Sequence, residues 1–85
     1  MTNLNYTKIA DWEVKGEALV HTFVFRDFLQ SIEFVNKVAF IAEKYDHHPD
    51  IDIRWNKVRL VLMTHDAGKL TEKDFLVAAE VDGLI

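Results

Sequence analysis

Residues 51–63 read IDIRWNKVRLVLM. Ile51, Ile53 and Trp55 alternate with Asp50, Asp52 and Arg54. After Asn56-Lys57 the alternation resumes, with Val58, Leu60 and Leu62 set against Arg59, Val61 and Met63. A period of two marks a strand with one buried face, because successive side chains of an extended chain point to opposite sides. Two such runs joined by a short polar pair predict an antiparallel hairpin, although Asn-Gly would be a stronger turn signal. With Asn56-Lys57 as the turn, Trp55 pairs with Val58, Ile53 with Leu60, and Ile51 with Leu62. All six apolar side chains then share one face, and the register is internally consistent.

Upstream, Trp12 and Val14, a break at Lys15-Gly16-Glu17, and ALVHTFVF over residues 18–25 predict a second antiparallel hairpin. Asp27, with Gln30 three residues on, has capping-box spacing and opens a helix that runs to about Tyr45. Phe28, Ile32, Val35, Ala39 and Ala42 form one apolar stripe on it; Phe34, Val38, Ile41 and Tyr45 form a second. Together they span an arc of roughly 180°, wider than the stripe of about 100° that a one-sided surface helix needs. One face lies on the sheet. The second stripe is expected to lack cover in a chain of 85 residues and to drive self-association.

Downstream, Gly68 marks a loop, and Thr71 with Asp74 repeats the capping-box spacing. Phe75, Leu76, Ala78, Ala79 and Val81 carry a last helix to about Val81. The order β-β-α-β-β-α predicts an α+β fold, a four-stranded antiparallel sheet with two helices on one face. Residues 1–9 read as a lead-in and residues 10–85 as one domain, since 85 residues are too few for two.

Composition narrows the function. Hydrophobic residues are 49% and charged residues 28%, an ordinary globular balance. The net charge is −4, with Lys and Arg scattered, which argues against a nucleic-acid surface. The absence of cysteine excludes disulfides and thiolate metal sites. The opening MTNLNYTKIADW has no signal-peptide pattern, and no apolar run approaches the roughly 20 residues a membrane span requires. A cytoplasmic protein is expected.

The chemistry concentrates at residues 45–50, YDHHPD. Imidazole gives or takes a proton near neutral pH. Pro49 biases His48 toward an extended backbone and stiffens the loop. The hairpin returns Met63, Thr64 and His65 beside Asp50, so His65, 17 residues after His48, rejoins the loop in space. Glu43, Asp46, His47, His48, His65 and Asp74 are therefore gathered at one end. Two imidazoles flanking a substrate can serve as acid and base in one turnover. Plainer readings exist for each: Glu43 as a solvated charge, Asp46 as a helix-end residue, Asp74 as a cap, His21 as a structural or exposed strand residue. No HExxH pair or other familiar ligand spacing supports a metal, and no phosphate-binding Gly-rich loop or nucleophile elbow is present. Spacing alone supports a His-lined pocket of unassigned purpose.

The stretch from Glu43 to Asp74, EKYDHHPDIDIRWNKVRLVLMTHDAGKLTEKD, resembles the signature of the pterin-4a-carbinolamine dehydratases. The family pattern sets a charged residue before His-His-Pro, then an aromatic, a second His and an Asp after a Gly-containing loop. Here Glu43, His47-His48-Pro49, Trp55, His65 and Asp74 fill those slots with every gap kept, and the likeness covers about residues 11 to 80. Two departures stand out. The chain ahead of Trp12 is too short for the extra helix many members carry, and Lys69 occupies a place often held by a second glycine.

The resemblance implies the same sandwich, with subunits joined into homodimers or homotetramers. It implies removal of water from a 4a-hydroxytetrahydropterin to give quinonoid dihydropterin, which recycles the cofactor of aromatic amino acid hydroxylases. His47 and His65 would be the acid/base pair, and His48 would chiefly position the pterin. Glu43, Asp46, Pro49, Trp55, Thr64 and Asp74 would bind or orient it. No metal or organic cofactor is implied, the pterin being substrate. Members in animals also bind a homeodomain transcription factor, and some bacterial relatives act as assembly or regulatory partners. A non-catalytic protein-binding module of the same fold is thus the alternative.

Overall fold

Gly16, with φ 61, makes the left-handed turn between β1 (Glu13–Lys15) and β2 (Ala18–Val24). In the computed structural model, which describes residues 11–85, α1 (Phe28–Tyr45), β3 (Asp50–Arg54), β4 (Lys57–Leu62) and α2 (Glu72–Asp82) follow. The expected lead-in over residues 1–9 and the shortness of the chain ahead of Trp12 lie outside the described residues. The sheet is antiparallel throughout, in the order β1-β2-β4-β3. Its inner face sets Leu19 opposite Leu62, His21 opposite Leu60, and Phe23 opposite Val58. These apolar residues form one buried core with Trp12, with Phe34, Val38 and Ile41 of α1, and with Val77, Ala78 and Val81 of α2. The α+β architecture read from the sequence is the observed one. No described helix is long and apolar enough to cross a membrane.

Two expectations fail, each for a long-range reason. The β3–β4 register is shifted: Ile53 pairs with Val58 and Ile51 with Leu60, and the two turn residues are Trp55 and Asn56. A shift of two keeps the side-chain faces intact, so alternation could not detect it. Asn56 is held in the turn by β2: its carbonyl accepts from the Phe25 amide at 2.8 Å, and its side-chain amide donates to the Phe25 carbonyl at 3.1 Å. Trp55 is left with φ 54 and is 67% exposed, rather than paired within the hairpin. A left-handed backbone at a bulky residue costs roughly 1–2 kcal/mol.

The second correction concerns α1. Phe34, Val38 and Ile41, the stripe expected to lack cover, are buried within the chain, with Tyr45 half-buried against the same core. The exposed apolar side chains are instead Phe28, Leu29 and Phe40. Periodicity locates an apolar arc but not which half of it meets the sheet.

Candidate active site

The histidine loop is placed by the way α1 ends. Asp46 adopts a left-handed conformation, φ 50 and ψ 47. Its amide donates to the Glu43 carbonyl at 3.2 Å, and the His47 amide to the Ala42 carbonyl at 3.0 Å. This crossed pair is a Schellman termination, and a short polar side chain such as Asp tolerates the left-handed position better than most. Exposed Asp46 thus acts through its backbone, reversing the chain so that His47 turns inward.

The end of α1 is tied to α2 by a second set of contacts. The Tyr45 hydroxyl and the Lys44 ammonium both donate to Glu80 Oε2, the latter at 2.9 Å. The Tyr45 hydrogen bond, reinforced by Lys44, holds the Glu80 carboxyl below its ordinary range. The same bonds raise Tyr45, with burial adding to the effect, and raise Lys44.

His47 and His48 share a sequence address but not an environment. His47 is buried, and its Nε2 lies 2.6 Å from Asp74 Oδ1. Asp74 is fully buried at the third position of α2. Its other oxygen, Oδ2, accepts from the Thr64 hydroxyl at 2.7 Å and from the Thr71 amide at 2.9 Å. Thr64 gives its only hydroxyl proton to Asp74, so the Thr71 hydroxyl, 2.7 Å away, must be the donor to Thr64 Oγ1. Among the described residues no Lys or Arg forms an ion pair with Asp74. Hydrogen bonds alone satisfy this carboxylate, as a buried polar group requires. A carboxylate only accepts, so the proton of a neutral His47 sits on Nε2 and the lone pair on Nδ1.

His48 is exposed, with Nε2 2.6 Å from Glu43 Oε2 on the last turns of α1. Both side chains are more than half in solvent, so their attraction is screened and weak. Pro49, half-buried, links them to β3. His65 is exposed on the turn 65–68, next to Thr64; its carbonyl accepts from the Gly68 amide at 3.2 Å, and its imidazole has no hydrogen-bond partner among the described residues. That turn is closed by an isolated Thr64–Lys69 bridge, and its only left-handed residue is Gly68, φ 64. Lys69 therefore needs no glycine's freedom.

Asp50, expected beside Met63, instead pairs with Val61. The loop, Thr64 and the start of α2 meet through Asp74. Trp55 does not join them; it sits at the opposite end of the β3–β4 hairpin. Thr71 is the residue that sequence reasoning missed. Its capping signal was plain, but nothing local reveals that its hydroxyl supports Thr64. His21 lies on the inner sheet face between the Trp12 and Phe23 rings, 5.3 and 4.1 Å away, apart from the loop. A hollow of about 790 Å³ adjoins it rather than His47. Among the described residues no three His, Asp or Glu side chains are grouped as metal ligands.

A family model described as pterin 4 alpha carbinolamine dehydratase matches residues 2–84. The chain belongs to the pterin-4-alpha-carbinolamine dehydratase family. A relative from Chloroflexus aurantiacus, provisionally named as such a dehydratase, is 55% identical over 75 residues, covering 88% of this chain and 81% of its own. One from Thermomicrobium roseum, under the same provisional name, is 50% identical over 74 residues, 87% and 80%. Among solved structures, a transcriptional coactivator/pterin dehydratase from Brucella melitensis superposes with a TM-score of 0.86 at 33% identity, covering 98% of this chain and 90% of that one. A pterin dehydratase-like protein identified as a RuBisCO assembly factor in the alpha-carboxysome superposes at 0.71, with 27% identity and coverage of 86% and 84%.

Proposed function

We propose that this member of the pterin-4-alpha-carbinolamine dehydratase family is an active dehydratase that converts a 4a-hydroxytetrahydropterin to quinonoid dihydropterin and water. The N5 lone pair forms a C4a=N5 double bond as the C4a–O bond breaks, and the hydroxyl leaves as water after accepting a proton. The resulting cation loses a proton to a base. His47 and His65 are the acid/base pair, His48 positions the pterin, and Glu43 and Asp74 orient the imidazoles. General acid–base help of this kind is worth about 10²–10⁴ in rate.

The observation that carries this reading is the buried His47–Asp74 pair. A fully desolvated carboxylate that aligns one imidazole is costly to place in a core, and it suits a ring that must be held in one tautomer. A protein-binding module is the second reading, favoured by the assembly-factor and coactivator descriptions of the two structural neighbours. Such a module would have no need of the aligned ring. Turnover of a chemically generated carbinolamine separates the two, and a rate equal to the uncatalysed one would leave the module reading standing. Self-association through exposed Phe28, Leu29 and Phe40 belongs to the same proposal, as does a cytoplasmic location. Light scattering that finds a clean monomer at micromolar concentration would remove the oligomer.

A further inference from the structure

The turn end of the β3–β4 hairpin carries side chains that neither the core nor the histidine loop uses. All three arginines of the sequence lie at this end of the sheet: Arg54 and Arg59 within the hairpin, and Arg26 next to Phe25, whose backbone bonds the turn. Lys57 joins them, directly opposite Arg54. Arg59 stands between Thr22 and Asp52 on the neighbouring strands. Since Val58 and Leu60 point into the core, Lys57, Arg59 and Arg54 occupy the outer face, away from the helices. There they line a shallow hollow of about 360 Å³ with Thr22 and Asp52.

Like charges set directly opposite each other weaken a sheet, so the Arg54–Lys57 pairing is not explained by folding. Arg54 and Arg26 have exposed acidic neighbours, Asp52 at 3.3 Å and Asp27 at 3.4 Å. Among the described residues, Lys57 and Arg59 form no ion pair, although Arg59 stands opposite Asp52 across the ladder. This local excess of cations belongs to a molecule of net charge −4. At the tip, Trp55 is 67% exposed on a strained backbone, φ 54. Val24, also exposed, faces solvent opposite Lys57.

Trp and Arg are the side chains most enriched among the anchors of protein interfaces. The guanidinium fork matches a carboxylate in both spacing and plane. We propose that this end of the sheet is a docking surface for an acidic segment of a partner protein, with Trp55 as apolar anchor and Arg54, Lys57 and Arg59 receiving its carboxylates. A nucleic acid fits less well. Asp27 and Asp52 interrupt the cationic surface, and the net charge would repel a phosphodiester chain, which calls for a basic stripe. The length of β4 separates this surface from the histidine loop by roughly 17 Å, at about 3.3–3.4 Å per residue. Docking is therefore independent of whether the loop is catalytic.

The test uses the full chain and a fluorescein-labelled peptide of about ten residues, rich in Glu and Leu. Anisotropy should saturate, more tightly at low than at physiological salt. Trp55→Ala should weaken binding about 10-fold. The Lys57→Glu/Arg59→Glu double variant should abolish binding while circular dichroism and carbinolamine turnover stay as in the wild type. Should that reversal unfold the protein, Lys57→Ala/Arg59→Ala removes the charge more gently, with the same loss expected. The proposal is overturned if no saturable binding occurs, or if the charge variants bind as the wild type does. It is equally overturned if a single-stranded oligonucleotide or inorganic phosphate binds as tightly as the peptide. If charge reversal instead dissociates a self-associated form, the occupant is a second copy and the acidic partner is wrong.

Discussion

Asp74→Asn tests the alignment of His47 at a single atom. Asp74 Oδ2 accepts from two groups, the Thr64 hydroxyl and the Thr71 amide, and the amide proton cannot move elsewhere. An asparagine must therefore keep its carbonyl oxygen at that position and turn its NH₂ toward His47 Nε2. The ring then has to accept at Nε2 and carry its proton on Nδ1, the nitrogen that the proposed mechanism assigns to the pterin. A base becomes a donor with almost no change in shape. Charge-assisted hydrogen bonds become neutral ones, each weaker by about 1 kcal/mol, while removal of a buried charge returns part of that. A net loss of about 1–2 kcal/mol corresponds to a melting shift of roughly 5–15 °C for a domain of this size. The rate constant should fall by about 10²-fold or more, because acid–base catalysis of this kind contributes that much. Turnover of the carbinolamine measures the rate, and ¹⁵N shifts of the imidazoles report the tautomer without reference to activity. A variant that retains full activity, or whose His47 keeps its proton on Nε2, would falsify the proposed alignment.

The other expectations follow from environment. His47→Ala should cost about 2–3 kcal/mol, since it strips a donor from a fully buried carboxylate. His65→Ala, at an exposed turn, should leave the melt within about 0.5 kcal/mol while slowing turnover by about 10-fold or more; a stable His47→Ala would contradict the first. Trp55→Gly should stabilise the protein by about 1 kcal/mol in thermal melts, because glycine tolerates φ 54 at the first turn position. A lower melt would mean that the Trp55 ring packs more than its exposure suggests. Glu80→Gln should destabilise the protein by at most about 1 kcal/mol near pH 7. The folded-state value of Glu80 is lowered from 4.5, so its contribution is fully present above that value and fades as pH falls through the folded one. Tyr45 and Lys44 are raised, so their contributions hold below 10.0 and 10.5 and fade above them. Thermal melts of wild type and variant should therefore converge in acid and in strong base, and a constant difference across pH would refute the assignment.

Features that depend on near neighbours were legible in the sequence. Alternation at Ile51, Ile53, Val58 and Leu60 specified strands and their inner face, because extended backbone points side chains to either side in strict turn. Asp27 and Thr71 marked both helix starts through bonds spanning only three or four residues; the one refinement is that Gln30 returns its bond to the Arg26 amide, not to that of Asp27. Thr64 could be brought toward the histidine loop because a hairpin returns the chain to where it began. The remaining features required the folded chain. Asn56 chose the turn through its bonds to Phe25, 31 residues away, and a shift of two left every face unchanged. The sheet selected Phe34, Val38 and Ile41 from a wide apolar arc and left Phe28 and Phe40 in solvent, since angular position on a helix does not name its partner. Adjacent His47 and His48 were divided by the left-handed turn at Asp46, which sends one to a buried carboxylate on α2 and leaves the other with a solvated one on α1. Local patterns report dihedral preferences and periods; burial is set by which surfaces meet, and that is a property of the whole chain.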